Sequence, residues 1–250
     1  MPGGHRVAPD GRCVAHSTRP GPAAWSSVDK RLRARPGRRA TVTGMYVKLC
    51  GLRTGADVAV AVEAGADAVG FVFTESARQV DLDTARRLVR EVPPHVLAVG
   101  VFRGVGAAEV RHLAEASGIG AAQLHGDYPR EAFDQVGASG VRLVRAVALK
   151  PDTDVRVGAY GEDLLLLDSP VAGSGERWDL STLDRARPEG QWLLAGGLGV
   201  GNVAEAVTLA RPWGVDVSSG IESGRGVKDH GLMREFVAAA RSAAPRSAED

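Results

Sequence analysis

The chain has little cysteine: Cys13 and Cys50 are the only two. They stand in stretches of different character and at no metal-ligand spacing. That argues against a disulfide framework or a cysteine-bound metal and fits a reducing cytoplasm. Nowhere does an apolar run approach the ~18 residues that a membrane helix needs. The basic N-terminus has no apolar stretch behind it, so it does not read as a secretory signal. Lysine is scarce, with only Lys30, Lys48, Lys150 and Lys228 present. The turn after the first apolar run, Cys50-Gly51-Leu52-Arg53-Thr54-Gly55, lacks the glycine spacing of a dinucleotide-binding fingerprint.

What is present is unevenly distributed. The net charge of +1 conceals a basic N-terminal segment: residues 1–44 hold nine Lys or Arg and two acids, leaving the remainder at −6. The acidic remainder shows no basic patch suited to nucleic acid, and neither nucleic acid nor a membrane is expected as a partner. Residues 1–44 are rich in Pro, Gly, Ser and Arg without apolar periodicity, which predicts disorder. The run from Lys30 to Arg39 reads either as an interaction arm or as sequence upstream of a natural start at Met45, and the second reading is favoured. Residues 45–242 form the expected folded domain, and 243–250 a flexible tail.

Within that domain, eight short apolar runs alternate with amphipathic stretches. The runs are Val47–Cys50, Ala68–Phe73, Val96–Phe102, Ala121–Leu124, Leu143–Val147, Leu164–Leu167, Trp192–Ala195 and Val215–Ser218. Helical periodicity lies between most of them, as in Gly55–Glu63, Leu82–Glu91 and Val203–Ala210, while Pro151–Tyr160 is a poor helix. Strands apolar on both faces and separated by helices predict a parallel sheet covered on both sides. Eight units in about 195 residues favour the α/β class and a (β/α)8 barrel, near the lower size limit of about 200 residues for that fold.

Such barrels place their chemistry where strands end. Side chains alternate along a strand, so Lys48 and Cys50 share a face that turns Cys50 into the mouth. A lone strand cysteine is usually just a small buried apolar group, and the lysine two residues away weakens that reading. Asp168 closes a four-leucine run, as a catalytic carboxylate or as a turn residue. The glycine-rich stretch after it, Ser169 to Gly175, is long for a connecting loop. His125 shares its face with Gln123. Arg78, in the loop after the second run, is placed to clamp an anion with two parallel hydrogen bonds, or is merely exposed. The last two runs end in Gly196-Gly197 and in Asp216-Val217-Ser218-Ser219-Gly220. Glycine-rich turns with amide donors and a helix start behind them suit a phosphate, though each alone is only a tight turn.

Five motifs in order carry a specific resemblance. They are Lys48-Leu49-Cys50-Gly51, Gln123-Leu124-His125-Gly126-Asp127, Leu165-Leu166-Leu167-Asp168, Ala195-Gly196-Gly197-Leu198 and Asp216-Val217-Ser218-Ser219-Gly220-Ile221-Glu222. Together they resemble the phosphoribosylanthranilate isomerases of tryptophan biosynthesis, from about Val47 to Phe236. Ser76-Ala77-Arg78 fits the family's second loop. Ala172-Gly173-Ser174-Gly175 before Trp178-Asp179 departs mildly from its sixth.

The resemblance implies an Amadori rearrangement without metal or cofactor. Asp168 would be the general acid and Cys50 the general base, with Lys48 placed to favour the thiolate. Arg78 would hold the anthranilate carboxylate, and His125 would serve as a secondary contact. Gly196, Gly197, Asp216, Ser218, Ser219 and Gly220 would surround the phosphate end. The one partner expected is a phosphorylated small molecule, with the protein a monomer or homodimer. Indoleglycerol-phosphate synthase would want more lysines, a histidine-pathway isomerase an Asp where Cys50 stands, and a metal-dependent epimerase a His/Asp cluster. A barrel kept only as a binding module would be expected to lose the acid or the base.

The disordered reading of the N-terminal segment has a measurable consequence. A chain starting at Met45 is expected to fold and to keep kcat/KM within about threefold of the full chain, under ~0.7 kcal/mol. Loss of activity by orders of magnitude in steady-state assays would show that the segment takes part.

Overall fold

A computed structural model of the chain describes residues 44–169, 183 and 187–243. The basic segment before Gly44, the stretch from 170 that includes Ala172 to Asp179, and residues 244–250 lie outside the described residues. Eight parallel strands close into a barrel: β1 (Tyr46–Cys50), β2 (Ala68–Val72), β3 (Leu97–Phe102), β4 (Ala121–His125), β5 (Arg142–Ala148), β6 (Leu164–Asp168), β7 (Trp192–Leu194) and β8 (Gly214–Val217). The barrel closes where β1 pairs with β8, Tyr46 opposite Gly214 and Lys48 opposite Asp216. Around it lie α1 (Gly55–Glu63), α2 (Leu82–Glu91), α3 (Ala107–Ser117), α4 (Arg130–Gly137), α5 (Val203–Ala210) and α6 (His230–Ser242). Among the described residues no helix is long and apolar enough to cross a membrane.

The two faces of each strand build two cores. Outward residues such as Val47, Leu49, Phe71, Phe102, Leu165 and Leu167 pack against the helices. Inward residues form a separate cluster of small and branched side chains, including Ala68, Val99, Ala121, Ala146, Leu166 and Leu193. The N-terminal end of the barrel is plugged by Tyr46 stacked on Trp213, ring centres 4.4 Å apart. Gly214 is required there, because a Cβ would come within 2.6 Å of both Tyr46 O and Leu193 Cδ2. With one end plugged, ligand access is left to the other, where the strands' C-terminal ends lie.

Helix starts follow local chemistry. Thr54 and Asp57 form a reciprocal capping box on α1. The start of α6 falls two residues before the apolar period suggests, because the Asp229 side chain accepts from the Gly231 and Leu232 amides. Between β8 and α6 lies an element not expected from the sequence, a hairpin of β9 (Glu222–Gly224) and β10 (Val227–Lys228).

No helix lies between β5 and β6, as the weak Pro151–Tyr160 pattern suggests. The connecting segment is held instead by Arg145, which points outward from β5. Its Nε donates to Glu162 Oε1 at 2.7 Å, and its two terminal nitrogens donate to the carbonyls of Asp154 and Arg156 at 2.9 and 3.0 Å. The Tyr160 ring lies over the guanidinium at 4.8 Å. A guanidinium has enough donors to satisfy carbonyls that a helix would have satisfied internally. Glu162→Ala leaves this buried cation without its carboxylate and is expected to cost about 3–5 kcal/mol. The check is a lowered urea midpoint at unchanged m-value.

Candidate active site

A cavity of about 830 Å³ opens at the C-terminal ends of the strands. Its floor is set by a charge pair inside the barrel. Lys48, 1% exposed, donates from Nζ to Asp216 Oδ1 at 2.8 Å. Burial works against the charge on Lys48, but Asp216 and the neighbouring Cys50 outweigh it and hold the ammonium well above its usual pKa. Asp216 lines the cavity with its carboxylate on that lysine.

Cys50 ends β1 one layer above Lys48. It is a free, buried thiol at the cavity wall. Gly70 on β2 makes room for it, since a Cβ there would lie 2.7 Å from Sγ. The sequence reading has Lys48 favouring the thiolate. Lys48 does pull the thiol's pKa down, but burial is the larger influence and leaves it above its ordinary value, with Lys228 also pulling down and Asp216 pushing up. Lys48 is shared with a carboxylate, so its attraction for a thiolate is partly cancelled.

Asp168 ends β6 and faces the same cavity. The Ser169 amide donates to its Oδ1 at 2.8 Å, and His125 Nε2 lies 3.4 Å from Oδ2. The four side chains Cys50, Gln123, His125 and Asp168 therefore share one mouth. Gly196 is fitted against the acid, because a Cβ there would press on Asp168 Oδ1 and Ser169. Gly197 lines the cavity beside it, and its carbonyl accepts from Asn202 Nδ2 at 2.8 Å. Asn202 Oδ1 in turn accepts from the Gly199 amide at 2.8 Å, which fixes the loop ahead of α5.

On the β8 side, Ser218 and Ser219 line the cavity. The Ser218 hydroxyl donates to the Cys50 carbonyl at 3.1 Å, tying this loop to the end of β1. Gly220 is set back from the lining: a Cβ there would overlap the Leu198 carbonyl oxygen, so its role is to let the β7 and β8 loops meet.

Arg78 lines the cavity with one edge of its guanidinium already engaged by a protein carboxylate. Its Nε and Nη2 donate to the two carboxylate oxygens of Glu222 at 2.6 and 2.9 Å. Lys228 Nζ donates to Glu222 Oε1 at 2.8 Å and to the Ser218 carbonyl at 2.8 Å. This network joins the β2 loop, the β8 loop and the hairpin. Glu222, Lys228 and Arg103 are site residues that sequence reasoning passed over. Two of the chain's four lysines are buried at the site, so lysine scarcity was a usable signal. Arg103, at the end of β3, brings a further cation to the rim, where a smaller cavity of about 290 Å³ adjoins His125 and Tyr128. Among the described residues no cluster of three His, Cys, Asp or Glu could hold a metal.

Burial of Glu222 opposes its charge, but hydrogen bonds from Arg78, Lys228 and the Gly226 amide win and hold its pKa at about 2, against an ordinary 4.5. A carboxylate with a folded-state pKa below its unfolded value stabilises the fold above about pH 4.5, and that contribution disappears as pH falls toward 2. Glu222→Gln is therefore expected to flatten the dependence of the urea midpoint on pH between 5 and about 2.5. An unchanged slope would mean that the network carries no stability.

Comparison with known proteins gives consistent matches over the barrel. Residues 47–239 match the family model described as N-(5′-phosphoribosyl)anthranilate (PRA) isomerase. The N-(5′-phosphoribosyl)anthranilate isomerase of Symbiobacterium thermophilum is 41% identical, over 80% of this chain and all of its own length. Among solved structures, TrpF from Jonesia denitrificans is 44% identical with a TM-score of 0.75, covering 80% of this chain and 98% of that one. A phosphoribosyl anthranilate isomerase in complex with reduced 1-(o-carboxyphenylamino)-1-deoxyribulose 5-phosphate is 34% identical with a TM-score of 0.67, covering 79% and 99%.

Proposed function

The chain belongs to the N-(5′-phosphoribosyl)anthranilate isomerase family, and from that premise we propose how its residues divide the reaction. It is an isomerase of tryptophan biosynthesis that converts N-(5′-phosphoribosyl)anthranilate to 1-(2-carboxyphenylamino)-1-deoxyribulose 5-phosphate. The observation that carries the division of labour is that one cavity holds a carboxyl group from β6 and a thiol from β1.

Asp168, protonated, gives its proton to the furanose ring oxygen. The bond from that oxygen to C1′ breaks, and the nitrogen lone pair forms the Schiff base. Cys50, as thiolate, then removes the proton from C2′, giving an enolamine. Proton return to C1′ and loss of the enol proton yield the ketone. His125, beside Asp168 Oδ2, orients the acid. The buried thiol is costly to ionise, and Lys48 and Lys228 offset the cost as the charge forms. The loops carrying Gly196, Gly197, Ser218 and Ser219 hold the phosphate through backbone amides and hydroxyls. Asp216 contributes indirectly, by holding Lys48. Arg78 meets the anthranilate carboxylate with the nitrogen that Glu222 leaves over, held in place by that ion pair. Anchoring both charged ends positions the sugar carbons between acid and base.

The free buried thiol of Cys50 supports a reducing compartment, the cytoplasm, as the place where the enzyme works. Both monomer and homodimer fit this reading; one solved relative from Thermotoga maritima is described as monomers generated from a dimeric enzyme.

Cys50→Ser and Asp168→Asn are each expected to lower kcat by roughly 10²–10⁴ while changing KM much less. The assay follows loss of fluorescence from freshly generated phosphoribosylanthranilate. Wild-type kcat in either variant would remove that residue from the mechanism.

A further inference from the structure

Buried polar groups normally find partners, and among the described residues the buried polar side chains do, with one exception. Lys48 has Asp216, Arg145 has Glu162, and Lys228 has Glu222. Gln123, on β4, is 2% exposed, and its Oε1 accepts no hydrogen bond among the described residues. The side chain is in the lining of the catalytic cavity, with Oε1 itself closed off from solvent, so a half-turn about the Cγ–Cδ bond, which exchanges the amide's O and N, is what presents the oxygen to a ligand. Its alignment in the barrel is fixed by pairing with Val101 on β3 and Val144 on β5. An orphaned amide is a cost to the empty protein, and an apolar side chain of similar size would have avoided it.

We propose that Gln123 binds the substrate, its amide oxygen accepting a hydrogen bond from a sugar hydroxyl at C2′ or C3′. The proposal rests on the isomerase reading of the cavity. Oε1 is an acceptor and needs a donor. The ionised phosphate and carboxylate of the substrate have none, so its two charged ends are excluded. The remaining donors are the sugar hydroxyls and the anilino N–H. Gln123 precedes His125 by two residues on the same face of β4, and His125 reaches the acid Asp168 at 3.4 Å. The amide thus lies one layer below His125 on the cavity wall. The sugar carbons are those that Cys50 and Asp168 must both reach, whereas the exocyclic anilino nitrogen leads away toward Arg78. An amide also carries N–H donors, so it meets adjacent hydroxyls with complementary groups.

The alternative occupant is an ordered water that merely satisfies the amide. Gln123→Met, similar in length and without an acceptor, separates the two. If the amide binds substrate, the unliganded variant keeps or gains Tm, because a buried unpaired group has been removed. Its kcat/KM falls about 10- to 100-fold, and its Kd for reduced 1-(o-carboxyphenylamino)-1-deoxyribulose 5-phosphate rises by a similar factor, the scale of one buried hydrogen bond. Affinity for inorganic phosphate alone stays unchanged. Gln123→Leu, carried through the same measurements, serves if the methionine variant does not fold. A variant with kcat/KM and analogue affinity within twofold of wild type would overturn the proposal, as would parallel loss of Tm, phosphate binding and activity. Failure of the isomerase reading itself would look different, because the wild-type protein would then not turn over phosphoribosylanthranilate at all.

Discussion

Lys48 and Asp216 meet inside the barrel where β1 pairs with β8, the seam at which the sheet closes on itself. Two opposite charges there are poor value for stability alone, since desolvation cancels most of their attraction. Their consequence is positional. The pair makes a polar floor above a plug of Tyr46 and Trp213, with Asp216 in the lining of the cavity. Cys50 stands directly above Lys48 on the same strand. Burial raises the thiol's pKa, and Lys48, already shared with Asp216, offsets that only in part.

A second network does for the rim what this pair does for the floor. Arg78 comes from the β2 loop, and Glu222 and Lys228 from the two strands of the hairpin that follows β8. Lys228 also fixes the Ser218 carbonyl, and Ser218 fixes the end of β1. Arg78 is thereby held in place by the hairpin that follows the proposed phosphate loop. On the proposed reading, connected parts of the protein would grip the two substrate ends, with the distance between them set before ligand arrives. Such preorganisation lets binding energy act on the reacting carbons between.

Much of this was legible in the residues. Alternation of apolar runs with amphipathic stretches gave the eight strands to within a residue or two, because a strand buried on both faces has few other compositions open to it. The alternation along β1 placed Cys50 in the mouth correctly, and the weak pattern of Pro151–Tyr160 signalled the missing helix. The hairpin of β9 and β10 escaped notice, since five residues of mixed polarity carry no period. Arg145 stands inside an apolar run, and its partners lie in a segment whose path the sequence does not specify.

The sequence by itself determined the barrel, the family and the set of polar residues at the strand ends, because each follows from local pattern and short motifs. Only the tertiary structure decided how those residues are paired. Arg78 and Glu222 are 144 positions apart, and Lys48 and Asp216 are 168 apart. Whether a cation is spent on a protein carboxylate or left for a ligand depends on distances of a few ångströms between such remote positions. Spacing along the chain carries no record of those distances. The same holds for Gln123, whose amide is identifiable from the sequence but whose want of a partner exists only once eight strands have closed around it.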